Sequence, residues 1–84
     1  MNSIFWTARA SKQMRRLDKP VRVAILDAVE ALAYMPNCQH VKALSGHVYG
    51  YRLRVGNYRV LFDWDGTIRI VEIQEVKKRD ERTY

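Results

Sequence analysis

An α+β fold is what this sequence predicts: a small, antiparallel-rich sheet packed against an N-terminal αα-hairpin. Three observations carry that expectation. Apolar residues recur at helical spacing between Ala8 and Met35. From Tyr51 onward they alternate with polar ones, as a half-buried strand requires. Two turn-forming pairs, Gly56-Asn57 and Asp65-Gly66, punctuate the alternating half. With 84 residues the chain reads as a single domain over 1–84 with one modest core.

Ser3–Thr7 (SIFWT) is a short apolar-aromatic run and reads as a first strand lying in the same sheet. From Ala8 the period changes, with Ala10, Met14, Leu17 and Val21 on one face and Arg9, Lys12, Arg16 and Lys19 on another. Asp18-Lys19-Pro20 offers an N-cap and a proline tolerated in a first turn, so a second helix starts there. It should run to about Met35, burying Ile25, Ala28, Val29, Leu32 and Met35, and stop at Pro36-Asn37. The two apolar stripes need a sheet to cover them. Asn37–His47 is polar, carries Ser45-Gly46 near its end, and reads as the irregular crossover from the helical half to the sheet half.

Tyr51–Arg59 (YRLRVGNYR) is a hairpin candidate, because Gly at the first turn position suits a two-residue type II′ loop. That loop pairs Val55 with Tyr58, Arg54 with Arg59, Leu53 with Val60, Arg52 with Leu61 and Tyr51 with Phe62. Alternation then puts Tyr51, Leu53, Val55, Tyr58, Val60 and Phe62 on an apolar face and Arg52, Arg54 and Arg59 on the other. Opposed like charges cost roughly 0.2–1 kcal/mol per pair, so an anion bound by these arginines would explain the arrangement.

Asp65-Gly66 signals a second two-residue turn, of type I′, completing a three-stranded meander. In that register Trp64 faces Thr67, Phe62 faces Arg69, Val60 faces Val71 and Tyr58 faces Ile73. On the opposite face Asp63 meets Ile68, Leu61 meets Ile70 and Arg59 meets Glu72. An apolar floor beside a cationic rim suits a nucleotide, whose base needs a stacking surface and whose phosphate needs cations. Leu61, Ile68, Ile70 and Val76 are equally suited to burial under a partner.

Charge points the same way. The net charge is +6, and between Ala31 and Phe62 there is no Asp or Glu against Lys42, Arg52, Arg54 and Arg59. A polyanionic partner is expected, beside the plainer reading that excess Lys and Arg keep a small protein soluble. No run is long or apolar enough for a signal peptide or a membrane span, and the single Cys38 fits a reducing, cytosolic setting as a structural thiol. His40 and His47 lack metal-ligand spacing, and no P-loop, nucleophile elbow or dinucleotide fingerprint is present.

The order of features is itself informative: a strand and two helices, Leu44-Ser45-Gly46, a Y-R-L-R-x-G-x-Y-R hairpin, an apolar last strand and the tail Lys77–Tyr84 (KKRDERTY). The combination resembles the RelE/ParE superfamily of bacterial toxins over essentially the whole chain. No one motif in it has the specificity of a metal-ligand set, but the ordered set is hard to mimic at this length.

That resemblance implies a RelE-like fold and a type II toxin–antitoxin toxin of the RelE type. Such a toxin is a ribosome-dependent mRNA interferase that cuts the A-site codon, with no metal or other cofactor. Its reaction is attack of a ribose 2′-hydroxyl on the adjacent phosphate, leaving a 2′,3′-cyclic phosphate and a 5′-hydroxyl. The implied partners are a cognate antitoxin, the ribosome with its mRNA, and operator DNA only through the antitoxin, all in the cytoplasm and none in a membrane. By correspondence with the family, Arg59, Arg79 and Tyr84 are catalytic residues, the arginines for transition-state charge and Tyr84 for base stacking or proton transfer. Arg52 and Arg54 hold substrate.

The RelE type carries lysines where this chain has Arg52 and Arg54, and a guanidinium does not readily accept a proton. The general base is therefore open. Glu72, expected opposite Arg59, and His47 are candidates, against the plainer readings of a cross-strand ion pair and a solvated loop histidine. A ParE-like inhibitor of DNA gyrase on the same fold is the main alternative, and an inactive module binding only antitoxin and operator is a third.

Overall fold

Thr7 stops the first strand by starting the first helix: its hydroxyl accepts the Ala10 N–H at 3.1 Å while its own backbone remains extended. In the computed structural model, which describes residues 1–79, β1 (Ser3–Trp6) leads into α1 (Ala8–Arg15), and α2 (Lys19–Glu30) follows. Asp18 occupies the N-cap of α2 without a side-chain cap bond, and Pro20 lies in the first turn. The helix does not continue as α to Met35. It tightens into a 3-10 turn over Ala31–Tyr34, because Pro36 forces Met35 into extended backbone. Asn2 caps the carbonyls released there, its Nδ2 donating to Ala33 O at 3.1 Å and Met35 O at 3.2 Å.

The strands β2 (Val41–Ala43), β3 (Tyr51–Val55), β4 (Tyr58–Asp65) and β5 (Ile70–Lys78) complete the chain's described elements. The sheet is five-stranded in the order β1-β5-β4-β3-β2. Among the described strands only β1 pairs in parallel, with β5. Strand β2 lies within the stretch expected to be irregular. It gains backbone partners from β3, with Lys42 opposite Arg52.

The β3–β4 register agrees with the sequence expectation at every pair, from Tyr51↔Phe62 to Val55↔Tyr58. Gly56 takes the left-handed conformation at φ 55°, as the first position of a type II′ turn requires.

The β4–β5 register differs. Asp65 does not open a two-residue turn, because its Oδ1 accepts the N–H groups of Thr67 at 2.9 Å and Ile68 at 3.2 Å. The loop lengthens to residues 66–69, and Arg69 takes the left-handed position at φ 56°. Gly66 is needed for space instead, since a Cβ there would lie 2.9 Å from the Trp64 indole. Asp65 thus pairs with Ile70, and Glu72 stands opposite Asp63, not Arg59. The displacement is an even number of residues, so Val71 and Ile73 keep the core face. A bulge then doubles Gln74 and Glu75 against Leu61, which turns Val76 inward, to 6% exposure, rather than onto the outer face.

Between the helices and this inner face lies the core, whose largest fully buried side chains are Phe62, Ile25, Leu32, Ile73, Val60 and Val71. Each contributes about 1.5–3 kcal/mol of transfer free energy. Among the described residues the core thus lies on one side of the sheet, and the side chains of the opposite face are turned away from it.

Candidate functional site

Cations collect on that outer face. Arg54, Arg59 and Lys77 form one row across β3, β4 and β5, and Lys42, Arg52, Leu61 and Glu75 form the next, beginning at β2. Three like-charged pairs therefore stand directly opposed: Lys42 with Arg52, Arg54 with Arg59, and Arg59 with Lys77. Each opposes folding by roughly 0.2–1 kcal/mol in the absence of a counter-anion.

Arg79 joins the group through its backbone, whose N–H donates to Asn57 O at 2.6 Å. This bond ties the end of β5 to the hairpin turn. One groove runs among Lys42, Arg52, Arg54, Arg59 and Arg79. A second, with His47, Leu61, Lys77 and Lys78 in its wall, shares Leu44, Arg52 and Arg59 with the first. Arg52 and Arg59 are half-buried and form the divide, while Arg54 is exposed.

The second groove depends on the loop 44–50. Leu44 N–H donates to Gly50 O at 2.8 Å, which closes the loop on itself. Gly50 N–H donates to Asp63 Oδ1 at 2.8 Å, and Gln74 Nε2 donates to Asp63 Oδ2 at 3.2 Å, so one carboxylate on β4 anchors the loop and the bulge together. Leu61, beside this loop, is only 6% exposed although it points away from the core. The result is an apolar floor with cationic walls.

The sequence-predicted residues divide accordingly. Arg52, Arg54, Arg59 and Arg79 are brought together. Tyr84 lies outside the described residues. Glu72 is removed from the cations by the register: it is exposed, faces Asp63 and accepts a hydrogen bond from Gln74 Nε2. His47 does reach the second groove. Its Nδ1, however, accepts the Tyr49 N–H at 3.1 Å, so the neutral ring carries its proton on Nε2 and presents a donor, not a base.

Sequence reasoning alone does not single out Lys42, Leu44, Lys77, Lys78 or Glu75. One available signal was the spacing of Val71, Ile73 and Val76, which breaks period two and marks a bulge. Among the described residues no group of His, Cys, Asp and Glu is placed to hold a metal ion, and no helix is long and apolar enough to cross a membrane.

Comparison with known proteins gives a consistent picture. The sequence model of a family described as "ParE toxin of type II toxin-antitoxin system, parDE" matches residues 4–82. No curated protein matches the chain. Among solved structures, the archaeal RelE–RelB complex from Pyrococcus horikoshii OT3 is similar at TM-score 0.81 and 24% identity, covering 95% of this chain and 97% of that one. The isolated E. coli RelE toxin is similar at TM-score 0.80 and 19% identity, with coverages of 96% and 87%. The RelBE2 toxin–antitoxin complex from Mycobacterium tuberculosis gives TM-score 0.79 at 22% identity, with coverages of 93% and 98%. At these identities the structural likeness concerns the fold.

Proposed function

This chain belongs to the ParE toxin family of type II toxin–antitoxin systems, and we propose that it acts as a ribosome-dependent endoribonuclease that cuts mRNA in the ribosomal A site. It is a toxin of such a system on a RelE/ParE fold. The observation that carries the nuclease reading is the cationic divide, where Arg52 and Arg59 separate two grooves and Arg54 and Arg79 flank them. Two successive nucleotides in the grooves would leave their shared phosphate on the divide.

The chemistry follows from that placement. Attack by a ribose 2′-hydroxyl on the neighbouring phosphate is intramolecular, so the protein's task is to orient the strand and stabilise the pentavalent centre. Guanidinium forks bind phosphate oxygens in pairs, and donors fixed in advance stabilise charge as it develops. Arg59 and Arg79 take that role, and Arg52 and Arg54 hold the RNA backbone. Tyr84 stacks on the substrate base or assists proton transfer. The P–O5′ bond breaks, leaving a 2′,3′-cyclic phosphate and a 5′-hydroxyl.

A cognate antitoxin is the partner in the cell. The Pyrococcus and Mycobacterium relatives are structures of toxin–antitoxin complexes, and here Val23, Leu26 and Tyr34 leave apolar surface exposed on the helical layer. Operator DNA is reached through that antitoxin, and the site of action is the cytoplasm. A second reading, inhibition of DNA gyrase without nuclease chemistry, is favoured by the ParE description of the matching family.

Brief expression followed by mapping of mRNA 5′ ends separates the two. The nuclease reading expects new ends in codon register that vanish with Arg59→Ala and Arg79→Ala. Unchanged 5′ ends together with altered DNA supercoiling would favour gyrase.

A further inference from the structure

We propose that Glu75 is the group that accepts the 2′-hydroxyl proton, an assignment that rests on the ribonuclease reading above. The register places Glu75 directly opposite Leu61, the floor of the second groove, while Arg52 stands opposite Leu61 on the other side. Arg52 on β3 and Glu75 on β5 are thus two strands apart, roughly 9–10 Å between backbones. In attack geometry the 2′-oxygen and the phosphorus lie about 3–3.5 Å apart. That pair fits over Leu61, with the phosphate toward Arg52 and Arg59 and the hydroxyl toward Glu75.

The carboxylate is also held for the task. Its side chain is 16% exposed, and Oε1 lies 3.6 Å from Lys77 Nζ, the ammonium in the wall of the same groove. The bulge creates this position. Without the extra residue at Gln74, an unbroken ladder would place Gln74 opposite Leu61, and the carboxylate of Glu75 would turn toward the core. Arg52, Arg54, Arg59 and Arg79 cannot serve as base at neutral pH, and His47 offers a donor at Nε2.

In the step, the Glu75 carboxylate takes the proton from the 2′-hydroxyl as the 2′-oxygen bonds to phosphorus. The P–O5′ bond breaks, its electron pair leaves on the 5′-oxygen, and that oxygen takes a proton from solvent water. Glu75 then returns its proton to solvent.

Single-turnover cleavage of mRNA on programmed ribosomes, measured across pH with the full-length chain, tests the assignment. Glu75→Gln should slow cleavage by roughly 10²–10⁴-fold, with ribosome affinity within about threefold of wild type and the acid limb of the pH–rate profile abolished. Glu75→Asp should retain partial cleavage and that limb, which guards against misfolding of the first variant. Cleavage by Glu75→Gln within about threefold of wild type, or a wild-type profile without an acid limb, overturns the proposal while leaving the nuclease reading intact. Absence of cleavage by the wild-type chain overturns both.

Discussion

Arg54 and Arg59 stand directly opposite each other across the β3–β4 ladder, both on the face turned away from the core. Two guanidinium groups in that relation oppose folding unless an anion lies between them. Arg54→Gln removes that opposition, worth roughly 0.2–1 kcal/mol where no anion offsets it, together with one cation of the face. The same change should make the salt dependence of single-stranded RNA binding shallower by about 0.7 in log–log slope, the loss of one phosphate contact. An unchanged slope would place Arg54 outside the anion site.

Asn2 should matter out of proportion to its place near one end of β1. Its amide donates to Ala33 O and Met35 O, and its Oδ1 accepts from Trp64 Nε1 at 3.0 Å. Asn2→Ala removes these partners at once. We expect a loss of about 1–3 kcal/mol, or at least roughly 4 °C in Tm for a domain of this size. A thermal melt within 1 °C of wild type would mean that water replaces all of them without penalty.

Cys38 supplies a pH dependence. Burial pushes its thiol above the ordinary value of 9.0, while Sγ donates to Ala31 O at 3.0 Å. The folded state thus favours the protonated thiol more than the unfolded state does. The stabilisation is fully present below the unfolded pKa and is lost as pH rises through the folded one. Stability should fall above about pH 9, a fall that Cys38→Ala reduces, and alkylation of the folded chain should rise at higher pH than in urea. Coincident alkylation curves for the folded and unfolded chains would contradict this.

The legible parts of the fold are those governed by neighbours in sequence. The arginine face of the hairpin follows from Gly56-Asn57 alone, because a two-residue loop leaves one register. The two helical stripes follow from spacing. Hidden were a choice between two local turns and a contact made across the fold. Asp65-Gly66 is compatible with a two-residue hairpin loop as well as with the longer turn in which Asp65 holds Thr67 and Ile68, and nothing local announces that Asp63 will anchor Gly50. The first of these moves Glu72 away from Arg59, and the second builds the Leu61 groove. Strand β2 has Val41–Ala43 alone as its signal and exists by pairing with β3.

The proposed function requires the cationic divide to bind a phosphate for cleavage on the ribosome. The most direct measurement adds purified protein to mRNA-programmed ribosomes and to the same mRNA free in solution, then reads the RNA ends. Cuts are expected in ribosome-bound mRNA only, at the A-site codon, with a 2′,3′-cyclic phosphate upstream and a 5′-hydroxyl downstream, all lost with Arg59→Ala. Intact mRNA on the ribosome, with the same preparation inhibiting DNA supercoiling by gyrase, would contradict it.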